Sequence, residues 1–308
     1  MYLQYIELWI GKILNIKKVN DFISSLDVKI PPYEEFVKLG DMTALFESKP
    51  NEFIQLNYER GPLLYALVSI LKPKNILEIG TSRGYSTLCM AWAMSDNNLP
   101  GKIFSIDPIS TKQVSKNLID DHTSDGPRYE NISIEQIWKK ISKDEWLEKI
   151  SPITGYSGTV MSEKVFPKFD MGYIDGAHFY DAVRHDVYAF LKSSKSKFGL
   201  LLDDYIDREH YGVKKLIDEE ISQIFDTTLI QTDNEQHLLK KDYLNDPLYG
   251  MCWIHNTEEK KHMEFLKNNE INNAIDKYVK YEQRIQFRQK INKKLPFIKN
   301  IKLSFWKK

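Results

Sequence analysis

The clearest motif in the sequence is Leu77-Glu78-Ile79-Gly80-Thr81-Ser82-Arg83-Gly84-Tyr85-Ser86, which has the form E-x-G-x-x-x-G. A short apolar strand, Asn75 to Ile79, leads into it, and a helical pattern follows from Tyr85 to Met94. Gly80 lets the chain turn sharply and lets a ligand approach the backbone, because glycine has no side chain. Gly84 opens the helix, whose N-terminal amides favour a carboxylate or a phosphate. The segment therefore predicts a strand, a glycine turn and a helix around a bound ligand.

Acidic residues stand at the ends of the predicted strands. Besides the first strand, the pattern predicts strands over Lys102–Ile106, Asp170–Ile174, Phe198–Leu202 and two late ones near Thr227–Gln231 and Gly250–His255. Helical patterns alternate with them, which indicates right-handed crossovers and an α/β, Rossmann-like doubly wound sheet that is mostly parallel. Ligands bind such sheets at the carboxyl ends of the strands, and here those ends carry Glu78, Asp107, Asp175, Asp203 and Asp204. Five acids beside a glycine turn predict a functional site.

The chain divides into three predicted regions. These are an N-terminal helical region over 1–72, the strand-and-helix domain over 73–257, and a C-terminal helix with a basic tail over 258–308. In the first region, apolar residues recur at helical spacing near the start and again over Asn57 to Leu71. Within the domain, residues 109–150 are polar, with a helical stretch from Ile134 to Ile150, and we interpret them as an insertion or lid over the site.

Composition excludes several classes of protein. The chain has 308 residues, of which 42% are hydrophobic and 28% charged, an ordinary mix for a globular protein. Two cysteines, Cys89 and Cys252, are too few for a disulfide scaffold or for a zinc site made only of cysteines. The longest apolar run, Leu63 to Leu71, is about half of the ~20 residues that a membrane span needs. Since we recognise no secretory signal, we expect a soluble, cytoplasmic protein.

The net charge is zero, but the charge is unevenly distributed. Residues 260–308 carry a balance of +10 and the rest of the chain one of −10. The segment 284–308 has nine basic residues interleaved with apolar ones and no acid, which is typical of peripheral contact with an anionic membrane surface. The segment would also suit a nucleic acid, and a frayed tail would look the same; of these we expect no nucleic-acid partner. Before it, Ile271, Tyr278 and Ile285 recur at heptad spacing, which favours packing onto the domain or onto a second subunit in a homo-oligomer.

The glycine turn favours a nucleoside ligand without a pyrophosphate. Nicotinamide enzymes more usually show G-x-G-x-x-G, but Ser82 stands where the middle glycine would be. Asp107, at the end of the next strand, can accept hydrogen bonds from both hydroxyls of a ribose.

The turn resembles motif I of the class I S-adenosylmethionine-dependent methyltransferases. Asp107 resembles their ribose-binding acid, and Gly155-Tyr156-Ser157 resembles the loop that flanks the adenine in the small-molecule O-methyltransferases. The resemblance covers about residues 55–257. It implies an S-adenosylmethionine site formed by Glu78, Gly80, Thr81, Ser82, Gly84, Tyr85, Ser86, Asp107, Tyr156, Ser157 and Asp175.

A second pair of motifs predicts a metal site. One strand ends in Tyr173-Ile174-Asp175-Gly176-Ala177-His178-Phe179-Tyr180, and the next ends in Leu200-Leu201-Leu202-Asp203-Asp204-Tyr205. Adjacent parallel strands are ~4.8 Å apart, so three carboxylates can converge on a hard divalent cation. Mg²⁺ prefers oxygen ligands and fills the rest of its octahedron with water and substrate oxygens.

These motifs resemble the I-D-G-x-H-x-Y and D-D-Y segments of the metal-dependent sugar and catechol-type O-methyltransferases. The macrocin O-methyltransferase-like branch resembles them most, because it also has the histidine. The resemblance implies that Asp175, Asp203 and Asp204 hold Mg²⁺ and that His178 is the catalytic base. The last pair departs from the pattern, since catechol-type enzymes usually have D-N there and macrolide-sugar enzymes often have E-D.

The sequence therefore predicts an S-adenosylmethionine-dependent, metal-assisted O-methyltransferase that acts on a hydroxyl of a sugar, a glycan or a glycosylated small molecule. A histidine with a pKa near neutrality can take the hydroxyl proton, and a cation makes that hydroxyl more acidic. The alternatives are a nicotinamide-dependent oxidoreductase and a non-catalytic nucleoside-binding protein on the same fold. N-methylation is less favoured, because amine-methylating enzymes typically show N/D-P-P-Y where this chain has Asp203-Asp204-Tyr205. Arg208 and His210, just beyond, are either substrate contacts or surface loop residues.

Overall fold

The structure is a computed structural model that describes residues 15–55, 57–123, 125–232 and 250–294. Its helices are α1 Val19–Ser24, α2 Tyr33–Thr43, α3 Arg60–Leu71, α4 Tyr85–Asp96, α5 Ile134–Ile141, α6 Asp144–Leu147, α7 Ser157–Glu163, α8 Tyr180–Ser193, α9 Val213–Glu219, α10 Glu259–Leu266 and α11 Asn269–Lys294. Its strands are β1 Asn15–Lys18, β2 Leu45–Lys49, β3 Glu52–Gln55, β4 Asn75–Ile79, β5 Lys102–Asp107, β6 Val114–Ile119, β7 Arg128–Ser133, β8 Ile150–Thr154, β9 Phe169–Ile174, β10 Ser194–Tyr205, β11 Thr227–Gln231 and β12 Gly250–Asn256. The predicted helix at the start of the chain and the end of the basic tail lie outside the described residues.

Eight strands of the described chain form one sheet, in the order β1-β11-β12-β10-β9-β4-β5-β8. β12 runs antiparallel to its neighbours β10 and β11, and the other neighbouring strands run parallel to one another. The predicted α/β doubly wound, mostly parallel sheet is therefore confirmed. Since β5, β4, β9 and β10 are parallel neighbours, their carboxyl ends meet at the same edge of the sheet.

The central strands bury both of their faces, as strands do in a parallel sheet covered by helices on either side. In β4, Ile76 belongs to one buried cluster, together with residues of α3 and α4, whereas Leu77 belongs to the other, together with residues of α8. This alternation follows from the pleat of a strand, which points successive side chains to opposite faces. Phe22 and Phe36, from the N-terminal region, lie in the same cluster as Ile76. The described part of that region therefore packs into the core of the domain.

Residues 109–150, predicted to be an insertion or lid with one helical stretch, contain both strands and helices. A small antiparallel sheet of β6 and β7 occupies their first half, and the predicted helix divides into α5 and α6 before the strand β8. A capping box begins α5, in which Ser133 and Gln136 each accept a hydrogen bond from the backbone amide of the other. The helical pattern misses β8, whose sequence contains Pro152. Proline is tolerated in this strand because β8 lies at the edge of the sheet.

The N-terminal region also contains strands where the pattern predicts mostly helix. β1 extends the far edge of the sheet by pairing parallel to β11, and β2 and β3 form an antiparallel hairpin. The predicted helix over Asn57 to Leu71 begins at Arg60 instead. Among the described residues, no helix combines the length and the apolar character needed to cross a membrane.

Candidate active site

The glycine turn lies between the end of β4 and the start of α4, against the end of β9. Gly80 has φ +96°, and a Cβ at this position would collide with the backbone carbonyl of Asp175. Gly84, the N-cap of α4, has φ +92°, and a Cβ there would collide with the indole of Trp138. Both positions therefore need glycine for conformation and for space.

Asp107, at the end of β5, stabilises this turn through hydrogen bonds. Its Oδ2 accepts hydrogen bonds from the backbone amides of Thr81 and Ser82, at 3.1 and 2.9 Å, and its Oδ1 accepts one from the amide of Ile109 at 2.7 Å. Ser82 adopts a left-handed conformation, with φ +48°, which the two hydrogen bonds to Asp107 help to hold. The structure thus brings the predicted ribose-binding acid to the predicted cofactor turn.

Glu78 supports the turn from behind. It is fully buried, and its carboxylate accepts hydrogen bonds from the hydroxyls of Ser86 and Thr87, both at 2.6 Å, and from that of Ser105. Burial raises the pKa of Glu78, while the hydroxyl hydrogen bonds oppose that shift. All three donors satisfy a carboxylate that would otherwise be costly to bury. Thr87 and Ser105 belong to this arrangement, although the motif alone does not single them out.

A second group of side chains lies at the ends of β9 and β10. Among the described residues, Asp175, His178 and Asp204 place one ligand atom each within 4.8 Å of one another. His178 Nδ1 lies 2.7 Å from Asp204 Oδ2, and the imidazole stacks on the ring of Tyr211 with centroids 4.9 Å apart. Burial lowers the pKa of His178, but the hydrogen bond and charge of Asp204 raise it more, so it stands above its ordinary value.

This group does not include Asp203, although the sequence predicts Asp203 as a metal ligand. Its carboxylate accepts two hydrogen bonds from Asn57 Nδ2, both at 3.0 Å, and one from the Tyr173 hydroxyl at 2.9 Å. Arg60 Nη1 lies 3.2 Å from Asp203 Oδ2 and 3.3 Å from Asp175 Oδ2. A cation of the protein itself thus bridges two of the three predicted metal ligands.

The carboxylates of this group are packed closely enough to disturb one another. Burial, followed by the charge of Asp203, raises the pKa of Asp175, and Arg60 opposes that shift. Burial and the charge of Asp204 likewise raise the pKa of Asp203. The side chain of Asp175 keeps 20% of its surface exposed, against 2% for that of Asp203, so solvent reaches Asp175 more. Arg60 thus faces Asp175 and Asp203, while Asp204 faces His178.

Asn57 and Arg60 are site residues that the sequence pattern does not reveal. Both lie in a stretch that reads as a helix, and Arg60 is the first residue of α3. A cation is unfavourable in the first turn of a helix, because the helix dipole is positive there. An arginine at this electrostatically unfavourable position is the sequence feature that points to Arg60.

One cavity connects the two halves of the site. It has a volume of about 270 Å³ and is lined by the glycine turn, by Arg60 and Asp175, and by residues at the start of the β2–β3 hairpin. The glycine turn contributes Gly80 through Gly84 to its wall. The predicted cofactor turn and the predicted metal ligand Asp175 therefore share one space.

Tyr156 and Ser157 lie on the other side of Asp107. β8 pairs with β5 up to Thr154, and the amide of Gly155 donates to the carbonyl of Asp107 at 2.9 Å. The chain then enters α7 at Ser157. Arg208 and His210 are exposed in the loop after β10.

Residues 77–205 match a family model described as a methyltransferase domain. The matched segment runs from β4 to the end of β10 and contains the glycine turn, Asp107 and the second pair of motifs. This segment of the chain is therefore similar to a methyltransferase domain, and the strand order confirms the predicted Rossmann-like sheet.

Several known proteins are similar to this chain. Uncharacterized protein y4gI of Sinorhizobium fredii (strain NBRC 101917 / NGR234) is 24% identical over 156 residues, which are 50% of this chain and only 16% of that protein. The O-methyltransferase TomG from Streptomyces achromogenes, involved in tomaymycin synthesis and solved with SAM, superposes with a TM-score of 0.49 at 18% identity, over 77% of this chain and 95% of that one. The O-methyltransferase from Bacillus cereus, solved with SAH, superposes with a TM-score of 0.46 at 17% identity, over 75% and 94%.

Proposed function

We propose that this protein is an S-adenosylmethionine-dependent O-methyltransferase that uses a bound divalent cation. The observation that carries the proposal is the group of Asp175, His178 and Asp204 beside the glycine turn of a methyltransferase domain. Transfer of a methyl group to a hydroxyl needs alignment of the oxygen with the methyl carbon and removal of a proton. A base and two carboxylates next to a cofactor turn suit both needs.

In this proposal the cofactor lies along the turn between the two halves of the site. The amides at the start of α4 suit the carboxylate of its methionine part. Asp107 would accept from the ribose hydroxyls, and Tyr156 and Ser157 would flank the adenine. Asp175, which lines the cavity of the turn, would face the positively charged end of the cofactor. The remaining predicted cofactor residues, which shape or support the turn, are Glu78, Gly80, Thr81, Ser82, Gly84, Tyr85 and Ser86.

Asp175 and Asp204 would hold the cation. Two carboxylates with ligand atoms this close fit a hard ion such as Mg²⁺, which completes its octahedron with water and substrate oxygens. When bound, such an ion lowers the pKa of a coordinated hydroxyl and fixes its position. Asp203 could serve as a third ligand once its carboxylate separates from Arg60.

His178 would act as the base. Its Nδ1 is engaged by Asp204, which fixes the ring and leaves Nε2 as the nitrogen that takes the proton. This is the general arrangement in which a carboxylate orients a histidine for proton transfer. The ring of Tyr211 supports the imidazole from one face.

The acceptor in this proposal is a hydroxyl of a sugar, a glycan or a glycosylated small molecule. The resemblance of the two acidic motifs to the sugar-type enzymes supports this choice, together with the histidine between them. Two neighbouring hydroxyls on such a ring can chelate one cation, which would present one of them to the methyl group.

Binding and turnover assays test the proposal. We expect the wild-type protein to bind S-adenosylhomocysteine and to methylate a polyhydroxylated acceptor from a panel of sugars, with activity lost on chelation and restored by Mg²⁺. Asp175→Asn should abolish the Mg²⁺ response, whereas Asp226→Asn, at a side chain that is 81% exposed, should keep it. Full activity of the variant Asp203→Ala with Asp204→Ala would sink the metal-assisted reaction.

A further inference from the structure

The long C-terminal helix α11 lies beyond the matched domain and packs on two helices that begin beside the site. These are α7, which starts at Ser157, and α8, which starts just after His178. The heptad pattern of Ile271 and Tyr278 predicts this docking, and both residues are buried. The contact with α7 also brings a carboxylate to the segment that follows β8.

That carboxylate is Glu282, which is only 3% exposed. Its Oε2 accepts from the amide of Thr159 at 2.9 Å, and its Oε1 accepts from the amide of Gly158 at 3.2 Å. The first amides of a helix have no partner within the helix, and a side chain at the N-cap usually accepts from them. Tyr156 occupies the N-cap of α7, and its side chain makes no such bond. Glu282 therefore caps α7 from another helix.

The close approach depends on the glycine at position 158. A Cβ on Gly158 would lie 2.6 Å from Glu282 Oε2, so a larger residue would push the carboxylate away from the amides. Two further side chains from the same face of α11 reach this segment. Gln286 Nε2 donates to Thr159 Oγ1 at 2.7 Å, and Gln289 Nε2 donates to the Tyr156 hydroxyl at 3.0 Å. Three successive turns of α11 thus hold residues 156–159.

A series of buried side chains leads from Glu282 to Gly176, in the loop between Asp175 and His178. Tyr278 precedes Glu282 by four residues on α11, and its ring lies 4.8 Å from that of His185. His185 Nδ1 lies 2.8 Å from Asp186 Oδ1, and both residues are 1% exposed. Asp186 reaches the underside of Gly176, where an added Cβ would lie 3.5 Å from its Oδ2. The helix α11 therefore contacts residues 156–159 directly and is connected to Gly176 through His185 and Asp186 of α8.

We propose that Glu282 is a positioning residue for the cofactor, which sets the place of Tyr156 and Ser157 by holding the first amides of α7. The inference rests on the proposed function, because this segment matters to catalysis when a nucleoside lies against it. Loss of the carboxylate leaves two buried amides without an acceptor, and the start of α7 must shift to find other partners. The adenosine part of the cofactor then loses contacts, while the base and the acceptor side keep theirs.

Substitutions on one helix test this inference. Glu282→Ala should weaken the binding of S-adenosylhomocysteine by about tenfold or more, since a lost helix cap or charged hydrogen bond has about that effect. The KM for S-adenosylmethionine should rise in step, while kcat at saturating cofactor and the KM for the acceptor change less than about twofold. Glu282→Gln keeps one acceptor oxygen, so its affinity for S-adenosylhomocysteine should lie between those of the wild type and of Glu282→Ala. Gln289→Leu, which removes only the bond to Tyr156, should also weaken this binding. Glu270→Gln, at an exposed position of α11, is the control and should bind as the wild type does.

Each result has a distinct meaning. Wild-type affinity in Glu282→Ala, or an equal rise in both KM values, would overturn the positioning role and leave the methyltransferase proposal intact. A wild-type protein that fails to bind S-adenosylhomocysteine would overturn both. If Glu282→Ala does not fold, Glu282→Gln is compared with Glu270→Gln. A purely structural role for Glu282 would leave the affinity of the folded protein for S-adenosylhomocysteine equal in these two variants.

Discussion

Replacement of Arg60 by methionine perturbs the charge balance of the site directly. The Arg60 side chain is 16% exposed and that of Asp203 only 2%. Removing one partner of a buried ion pair leaves the other charge uncompensated, which typically costs 3–5 kcal/mol. Asn57 and Tyr173 still donate to Asp203, and the carboxyl can take up a proton. We therefore expect the free energy of unfolding to fall by about 2–3 kcal/mol near neutral pH.

The same variant should become less stable as the pH rises. Burial and the charge of Asp204 raise the pKa of Asp203, and Arg60 opposes them, so loss of Arg60 raises that pKa further. A carboxyl whose pKa is higher in the folded state stabilises the fold at low pH and loses this effect as the pH rises through the folded value. The deficit of the variant relative to the wild type should thus grow as the pH rises above the ordinary pKa of an aspartate carboxyl.

Urea unfolding of the metal-free protein measures both effects. Mg²⁺ is omitted, because a cation that binds the folded state would mask the lost charge. The matched control is the double variant Arg60→Met with Asp203→Asn, which should recover much of the stability, since only the more exposed Asp175 then lacks its arginine. A loss below ~1 kcal/mol in the single variant, or a double variant no more stable than the single one, would refute the reasoning.

Two further outcomes follow from the geometry. Asp204→Asn should move the acid limb of the kcat–pH profile to lower pH. In this variant the charge of Asp204 no longer raises the pKa of His178, while burial still lowers that pKa. An acid limb at the wild-type pH would speak against His178 as the base. Gly84→Ala should lower the free energy of unfolding by more than ~1 kcal/mol, because an added Cβ meets Trp138 at a positive φ. Gly126→Ala is the control, because Gly126 has φ +63° and no described atom lies within 4 Å of an added Cβ. This variant has backbone strain without a collision. An equal loss of stability in both variants would show that the collision with Trp138 has no effect.

Local patterns predict much of this fold. The strands of the sheet core are short apolar runs that end on acids, and Tyr85 to Met94 is a helix because its pattern follows a glycine at the N-cap. The pattern fails where local and tertiary preferences differ. β8 contains Pro152 and is a strand because an edge position accepts it. β1 is a polar strand whose partner β11 lies more than two hundred residues away along the chain.

The acids at the strand ends are predictable from sequence, because strand period and turn residues are local features and parallel strands share one direction. The partners of each acid depend on the folded chain. Asp203 and Asp204 are neighbours in sequence, but the register of β10 against β12 shifts between Leu202 and Tyr205, so the strand is irregular at this pair. Asp203 therefore meets Asn57 and Arg60, while Asp204, with φ +58°, meets His178. These partners come from segments far apart in the chain, so no local pattern encodes the pairing.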